Sequence, residues 1–236
     1  MVTRAGLGTA SFTVATILLL TACRSPMNTP DALTPTEAPY GSWVSPLSAA
    51  RATAGALRLG QIAVDGDDVY WLEGRASEGG RNVVVRQSPG QPPVDASPAT
   101  FNVRSRVHEY GGAAYTVHQG AIYASNFADQ LLYAFTPGTP PKALTLPGYF
   151  YAQCRVDSAR QRLLCVREDH TKGDDQPPAS VVAVPLGAAT PAAGVVLTSG
   201  ADFYSDPSLS PDGRQLSWLQ WHHPNMPWDG TELYVA

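Results

Sequence analysis

The sequence has few charged side chains and no excess of basic ones. Only 15% of its 236 residues are charged, and the formal net charge is −4. A nucleic-acid-binding surface needs Lys and Arg gathered on one face. The composition therefore gives no indication of a nucleic-acid partner.

Sequence signatures of catalysis are also missing. No Gly-x-Ser-x-Gly nucleophile elbow, phosphate-binding loop or dinucleotide fingerprint occurs in the chain. Its three cysteines show neither Cys-x-x-Cys nor Cys/His metal-site spacing. We therefore expect no metal and no cofactor, and the residues alone identify no active site.

Sustained helical periodicity is absent after the N-terminus, whereas turn-forming residues are frequent. The chain contains 21 Gly and 21 Pro, and 9% of its residues are aromatic. This composition is typical of many turns that join short strands. The sequence thus predicts an all-β fold.

One pattern, an apolar strand followed by a turn and an aromatic strand, recurs along the chain. In the clearest copy, Pro211-Asp212-Gly213 supplies the turn, since Pro presets φ and Gly accepts a positive φ. The other copies are Ala63–Trp71, Tyr115–Tyr123 and Cys154–Cys165. The turns recur at intervals of roughly 40 to 55 residues, as expected for four-stranded propeller blades.

The repeats predict an incomplete β-propeller of about four blades, each a four-stranded antiparallel meander. The fourth blade has three predicted strands, so its outer strand is missing. An unpaired edge is something natural proteins avoid, and we therefore expect the chain to be the front part of a longer protein. The predicted strands, good to roughly ±2 to 4 residues, are 58–64, 68–74, 82–87 and 93–97; 113–118, 121–125, 130–135 and 141–145; 150–156, 162–167, 180–185 and 194–198; and 203–209, 215–221 and 231–236.

The first 56 residues lie outside the predicted propeller. Residues 1–23 combine Arg4, a short apolar run and Leu20-Thr21-Ala22-Cys23, which resembles a bacterial lipoprotein signal with Cys23 as the acylated residue. The alternative is an uncleaved anchor, although the run is shorter than the roughly 20 residues of a span. Residues 24–56, rich in Pro, Thr and Ser, are predicted to be a tether, and 57–236 the partial propeller. We expect an exported, lipid-anchored protein of the periplasm or cell envelope.

The two remaining cysteines, Cys154 and Cys165, lie on the two arms of one predicted hairpin. They would be nearly opposite each other, so a cross-strand disulfide is one interpretation for an exported protein. Two small buried thiols are the other.

The alternation of strands places the unusual loops on one face of the propeller. The connections within and between blades on that face are long, polar and aromatic, and such loops commonly bind ligands. Two of them supply the candidate substrate-binding residues Arg106, His108, Glu109, Tyr110, Asn225, Trp228 and Asp229. As alternatives, Arg104 or Arg106 pairs with Glu109, Trp228 and Asp229 only pack and turn their loop, and His222 and His223 have structural or hydrogen-bonding roles rather than binding metal.

Several motifs together resemble the N-terminal propeller of bacterial serine peptidases of the prolyl oligopeptidase family, of the dipeptidyl aminopeptidase or acylaminoacyl peptidase type. They are G-G-R-N-V-V-V-R from Gly79, V-R-S-R-V-H-E-Y-G-G from Val103, S-N-F-A-D-Q from Ser125, C-V-R-E-D-H from Cys165 and L-S-P-D-G-R-Q-L-S-W-L-Q-W-H-H-P-N-M-P-W-D-G-T-E-L from Leu209.

The resemblance implies that the propeller caps a C-terminal α/β-hydrolase domain that carries the catalytic triad, so no catalytic residue is assigned here. It also implies that the propeller admits peptide substrates and that an acidic residue, for which we select Glu109, holds their N-terminal ammonium. The alternative function is a non-catalytic periplasmic TolB-like propeller that binds a protein or envelope partner.

Overall fold

The structure, a computed structural model, describes residues 37–42, 45–173 and 175–236. Contacts divide the chain into two units, Met1–Pro46 and Leu47–Ala236. The predicted signal with Cys23 and the first part of the tether, residues 24–36, lie outside the described residues. The part of the tether that is described includes one short helix, α1 (Ala49–Thr53), whose first turn is capped by the Ser48 hydroxyl. Over the described ranges, no helix has the length and apolar character to cross a membrane.

The second unit confirms the prediction of an all-β propeller. Its strands form antiparallel sheets in strict chain order, three with four strands and a last one with three. Blade 1 contains β1 (Leu57–Asp65), β2 (Asp68–Arg75), β3 (Arg81–Gln87) and β4 (Val94–Asp95), and blade 2 contains β5 (Tyr115–His118), β6 (Ala121–Ser125), β7 (Leu132–Phe135) and β8 (Lys142–Ala143). Blade 3 contains β9 (Tyr149–Asp157), β10 (Arg162–Asp169), β11 (Ala179–Pro185) and β12 (Val195–Ser199), and blade 4 contains β13 (Phe203–Leu209), β14 (Leu216–Trp221) and β15 (Glu232–Val235).

Short turns join the first two strands of each blade at the end opposite the long loops. In blade 3 the turn lacks glycine, and Gln161 adopts the left-handed conformation with φ 49°. Side chains connect these turns between blades: the Asp65 carboxylate accepts the backbone N–H of Gly120 at 2.6 Å. Arg160 likewise donates to the Gly213 carbonyl at 2.9 Å. Hydrogen bonds between side chains and backbone groups therefore connect neighbouring blades at this end of the propeller.

Each blade packs on the next through its own apolar core, and three such cores are formed. Tyr70 and Ile122 belong to the core between blades 1 and 2. Tyr151 and Leu163 belong to the core between blades 2 and 3. The core between blades 3 and 4 contains Tyr204 and also Val107, which comes from the connection between blades 1 and 2. One connecting loop therefore reaches across the propeller to a distant interface.

The innermost strands carry bulges whose side chains bridge neighbouring blades. Gln61, Gln153 and Asp206 all have positive φ and lie at register shifts of β1, β9 and β13. The Gln61 amide oxygen accepts the Ala114 N–H at 2.8 Å, and the Gln153 amide oxygen accepts the Asp206 N–H at 2.8 Å. The bulges at Gln61 and Gln153 thus each direct a side chain to the next blade.

Cys154 and Cys165 form a disulfide between β9 and β10, with their Cα atoms 4.1 Å apart. Both residues are buried in the core between blades 2 and 3. Of the two interpretations that the sequence allowed, the structure has the cross-strand disulfide.

Candidate functional site

A cavity of about 1030 Å³ lies at the end of the propeller that carries the long loops. Its walls come from the β10–β11 and β14–β15 loops, from the connection between blades 3 and 4, and from residues 103–112. We call residues 103–112 the crossing segment, because they leave blade 1 and reach blades 3 and 4 before blade 2 begins.

The crossing segment is attached to successive blades along its length. Val103 donates its N–H to the Asn82 carbonyl at 2.9 Å, and Arg104 donates to the Ser125 carbonyl at 3.1 Å. The Arg106 N–H then donates to the Gln130 side-chain oxygen at 2.8 Å. These hydrogen bonds satisfy backbone groups that lie outside any sheet. They also position the residues that follow, 107–110, at the cavity.

A tight turn follows, and it requires left-handed backbone. His108 and Glu109 have φ of 57° and 62°, and Gly111 has φ of 88°. The Gly111 N–H donates to the Val107 carbonyl at 2.9 Å. A Cβ on Gly111 would lie 2.8 Å from the Ser105 carbonyl oxygen, so only glycine fits there without movement. The turn leaves the Glu109 side chain exposed at the edge of the cavity.

Glu168, at the end of β10, forms a hydrogen bond with the backbone of this turn. Its side chain is buried, and one carboxylate oxygen accepts the His108 N–H at 2.7 Å. The other oxygen lies 3.1 Å from His170 Nε2. Burial raises the pKa of the Glu168 carboxyl, against the lowering effect of these two hydrogen bonds. Glu168 thus joins blade 3 to the crossing segment.

The His108 imidazole packs among aromatic rings beneath the turn. Its ring lies 5.7 Å from Phe203 and 5.3 Å from Trp221, both in edge-to-face geometry. Burial lowers the pKa of His108 to about 4, so the ring is neutral at pH 7. Its Nε2 has no hydrogen-bond partner among the residues described. His108 therefore supports the turn as an aromatic side chain and carries no charge.

Most of the charged residues in the lining are acidic. Glu109, Glu168, Asp175 and Asp202 line the cavity with a single arginine, Arg106. The proposed pairing of Glu109 with Arg104 or Arg106 does not form: within the described ranges neither guanidinium makes an ion pair. A site with this charge attracts cations, including ammonium groups.

Aromatic and cationic groups form one wall of the cavity. The Phe150 and His170 rings stack with their centroids 3.8 Å apart. Arg106 occupies the space near Phe150, with its guanidinium carbon 5.9 Å from the ring centroid. Such a wall gives a ligand an apolar surface beside the acidic groups.

Four of the residues that the sequence singled out line the cavity together: Arg106, His108, Glu109 and Tyr110. Asn225, Trp228 and Asp229 do not line it. Their loop closes on itself, since the Asp229 carboxylate accepts the Met226 N–H at 3.0 Å, and Trp228 is 76% exposed. The same loop instead contributes His223, Met226 and Pro227.

His222 is held by a carboxylate. Its Nδ1 lies 3.2 Å from an Asp202 carboxylate oxygen, which also accepts the His223 N–H at 3.0 Å. The His223 N–H is the main cause of the lowered pKa of Asp202. The contacts of Asp202 with His222 and His223 therefore hold the β14–β15 loop against the connection between blades 3 and 4. In the described part of the chain, no group of three potential metal ligands occurs.

Several other cavity residues were not selected from the sequence. Glu168 and His170 lie in a Glu-Asp-His sequence that ends a strand, which was the available signal. Phe150, Phe203 and Trp221 lie within strands, where aromatic residues are normally core.

Comparison with solved structures identifies close relatives of the propeller. A puromycin hydrolase is 36% identical with a TM-score of 0.75, and a Mycobacterium tuberculosis puromycin-hydrolyzing peptidase is 39% identical with a TM-score of 0.72. A puromycin hydrolase mutant complexed with PGG is 37% identical with a TM-score of 0.74. Each alignment covers 84% of this chain and 33% of the other, so the chain spans about a third of the length of these proteins. No family model and no curated protein matches the chain.

Proposed function

We propose that this chain, the β-propeller part of a serine peptidase of the prolyl oligopeptidase family, admits oligopeptides and orients them for an α/β-hydrolase domain. The observation that carries the proposal is the acidic cavity at the loop-bearing end of the propeller. Similarity of 36 to 39% to hydrolases and peptidases named for puromycin supports it.

In this proposal, Glu109 receives the N-terminal ammonium of the peptide. Glu109 is exposed at the cavity edge, and its turn is fixed by the bond between Glu168 and His108. A charge-assisted hydrogen bond from ammonium to carboxylate is stronger than a neutral one. The propeller would then contribute substrate position and selection, while the hydrolase domain performs nucleophilic catalysis.

The acidic lining favours an aminopeptidase over an acylaminoacyl peptidase. A free ammonium gains attraction from Glu109, Glu168, Asp175 and Asp202, whereas a blocked, neutral N-terminus gains none. We therefore propose a preference for peptides with a free amine. Export, lipid attachment at Cys23 and a location in the periplasm or cell envelope are further proposals, supported by residues 1–23 alone.

The function is tested with Glu109→Gln in the protein that includes the hydrolase domain. Hydrolysis of matched free-amine and N-acetylated peptides, and of puromycin, would be measured. Loss of a hydrogen bond between charged groups is worth about 1.5 to 3 kcal/mol, so KM for free-amine peptides should rise by about tenfold or more with little change in kcat.

Two controls accompany this measurement. KM for acetylated peptides should not change in Glu109→Gln, and Glu232→Gln, on the exposed strand β15, should behave as the native protein. An unchanged KM for free-amine peptides would reject the role of Glu109. Failure of the native protein to hydrolyse any peptide would reject the peptidase function itself.

A further inference from the structure

A second, smaller cavity lies on the other side of the crossing segment. Its volume is about 170 Å³, and Tyr110 lines both cavities. It is formed where the inner part of blade 1 meets the crossing segment and the start of blade 2. Its lining comprises Arg58, Leu72, Asn82, Val103, Arg104, Ser105, Tyr110, Gly111, Gly112 and Ala114.

The charge of this second cavity is opposite to that of the first. Its lining contains two arginines, Arg58 and Arg104, and no acidic residue among those described. Neither arginine forms an ion pair with a carboxylate in the described part of the chain. Two arginines that line one cavity, with no carboxylate in its described lining, make it a candidate site for an anion.

Arg58 is held at this cavity by its neighbours. Its Nη2 donates to the Asn82 side-chain oxygen at 3.3 Å, and Asn82 is itself buried. Gly74 leaves the room that the guanidinium occupies, because a Cβ there would lie 3.2 Å from Arg58 Nε. This single hydrogen bond uses one of the five guanidinium N–H donors, so others remain for a ligand.

Arg104 approaches the same cavity from the crossing segment. Its backbone is fixed by the bond to the Ser125 carbonyl. Its guanidinium lies over the Phe127 ring, 4.9 Å from the centroid. Stacking on an aromatic face orients a guanidinium and leaves its edge N–H groups free to meet a carboxylate.

We propose that the second cavity is a carboxylate subsite, which binds the C-terminal carboxylate of a short peptide whose ammonium lies in the first cavity. This proposal rests on the proposed function. The two cavities meet at Tyr110, so a peptide that passes this side chain would place its two charged ends in surroundings of opposite sign. The pair of cavities would therefore select short peptides with both ends free over longer or blocked ones.

The test is calorimetric titration of this chain with four versions of one tripeptide, with the N-terminus free or acetylated and the C-terminus an acid or an amide. In the native chain, the acid should bind about tenfold more tightly than the amide, as expected for a charge-assisted hydrogen bond. Added salt should reduce the preference, because the arginines are solvent-accessible.

Three variants assign the effect to the second cavity. Arg58→Gln and Arg104→Gln should each bring the acid and the amide closer in affinity while leaving the amide affinity unchanged. Arg104→Lys should restore part of the preference through its charge. Arg214→Gln, in the turn at the opposite end of the propeller, is the matched control and should keep the native preference.

The outcomes separate this inference from the proposed function. Equal affinity for acid and amide, with a lasting preference for the free amine, would overturn the carboxylate subsite alone. A preference for the acid without any preference for the free amine would overturn the ammonium site alone. If inorganic phosphate binds at Arg58 and Arg104 while the acid and amide forms of the peptide bind equally, the cavity is a site for small free anions and the carboxylate subsite is overturned. Absence of any peptide binding would overturn both proposals.

Discussion

At the residue scale, the cavity depends on a carboxylate that need not touch the ligand. Glu168 accepts the N–H of His108, 60 positions away in sequence, and thereby fixes the residue that precedes Glu109. His108 and Glu109 both have left-handed backbone conformations, which residues other than glycine rarely adopt unless surrounding contacts stabilise them. Glu168 is therefore a positioning residue for the proposed ammonium site.

Removal of this carboxylate should cost both stability and binding. Glu168→Ala leaves the buried His108 N–H unsatisfied, so the free energy of unfolding should fall by about 1 to 3 kcal/mol. The affinity for free-amine peptides should fall as well, because the turn is released. Denaturant unfolding and calorimetric titration of the same preparations would measure the two effects.

Glu168→Gln distinguishes positioning from a direct charge effect. Its amide oxygen can still accept from His108, so most of the lost stability and part of the affinity should return. Glu232→Ala, on the exposed strand β15, controls for loss of a glutamate as such. A Glu168→Ala protein as stable as the native one would refute the positioning role.

Sequence reasoning reached some of these residues and not others for an identifiable reason. His108, Glu109 and Tyr110 precede two glycines, a local pattern that indicates a turn. Glu109 and Tyr110 are exposed on that turn, whereas His108 is buried beneath it. Glu168 has no such local sign, since its role follows from a contact between blade 3 and a segment that leaves blade 1. Single-sequence patterns do not report contacts of this range.

At the element scale, the strands were predictable because turn residues mark their ends. Gly66 in blade 1 and Gly120 in blade 2 both have positive φ at the predicted hairpin turns. The path of the crossing segment was not predictable, because residues 103–112 have neither strand nor helix periodicity. Trp228 was a candidate for ligand contact or for turning its loop; hydrogen bonds between Met226 and Asp229 close a turn around it, and it does not line the cavity.

The crossing segment should be unusually sensitive at Gly111. Gly111→Ala incurs the left-handed backbone cost, about 1 to 2 kcal/mol, and also places a Cβ 2.8 Å from the Ser105 carbonyl oxygen. Gly120→Ala, whose Cβ would meet nothing within 4 Å, incurs the backbone cost alone. Denaturant unfolding should therefore show Gly111→Ala to be less stable than Gly120→Ala by about 1 to 3 kcal/mol.

The comparison between these two glycines isolates the contact. Equal losses of stability would mean that the Ser105 carbonyl moves aside without cost, and the tight turn would then not depend on glycine for space. A larger loss in Gly111→Ala should also be accompanied by weaker peptide binding, which Gly120→Ala should not show.

At the scale of the whole molecule, the two ends of the propeller differ in the length and polarity of their loops. One end has short turns that side chains such as Asp65 and Arg160 connect between blades. The other end has long loops around two cavities of opposite charge. Three inter-blade cores separate the two ends, so the loops can present polar groups without weakening the scaffold.

Amide hydrogen exchange should therefore report ligand binding at one end only. With a free-amine peptide bound, exchange should slow in the loops that line the cavities, because the ligand stabilises closed loop conformations. The loops expected to gain protection are 103–112, 168–173, 199–203 and 222–227. The turns at 65–68, 118–121, 158–161 and 210–214 lie at the other end and should exchange at unchanged rates.

Glu109→Gln provides the control for this experiment, since peptide at the same concentration should protect its loops much less. Protection spread evenly over both ends would indicate general stabilisation of the blades, and protection confined to the turns would place the ligand at the wrong end. Either pattern would contradict a site at the crossing segment. Protection of 103–112 that is lost in Glu109→Gln would tie the ligand to the crossing segment, which contacts blades 1, 2, 3 and 4.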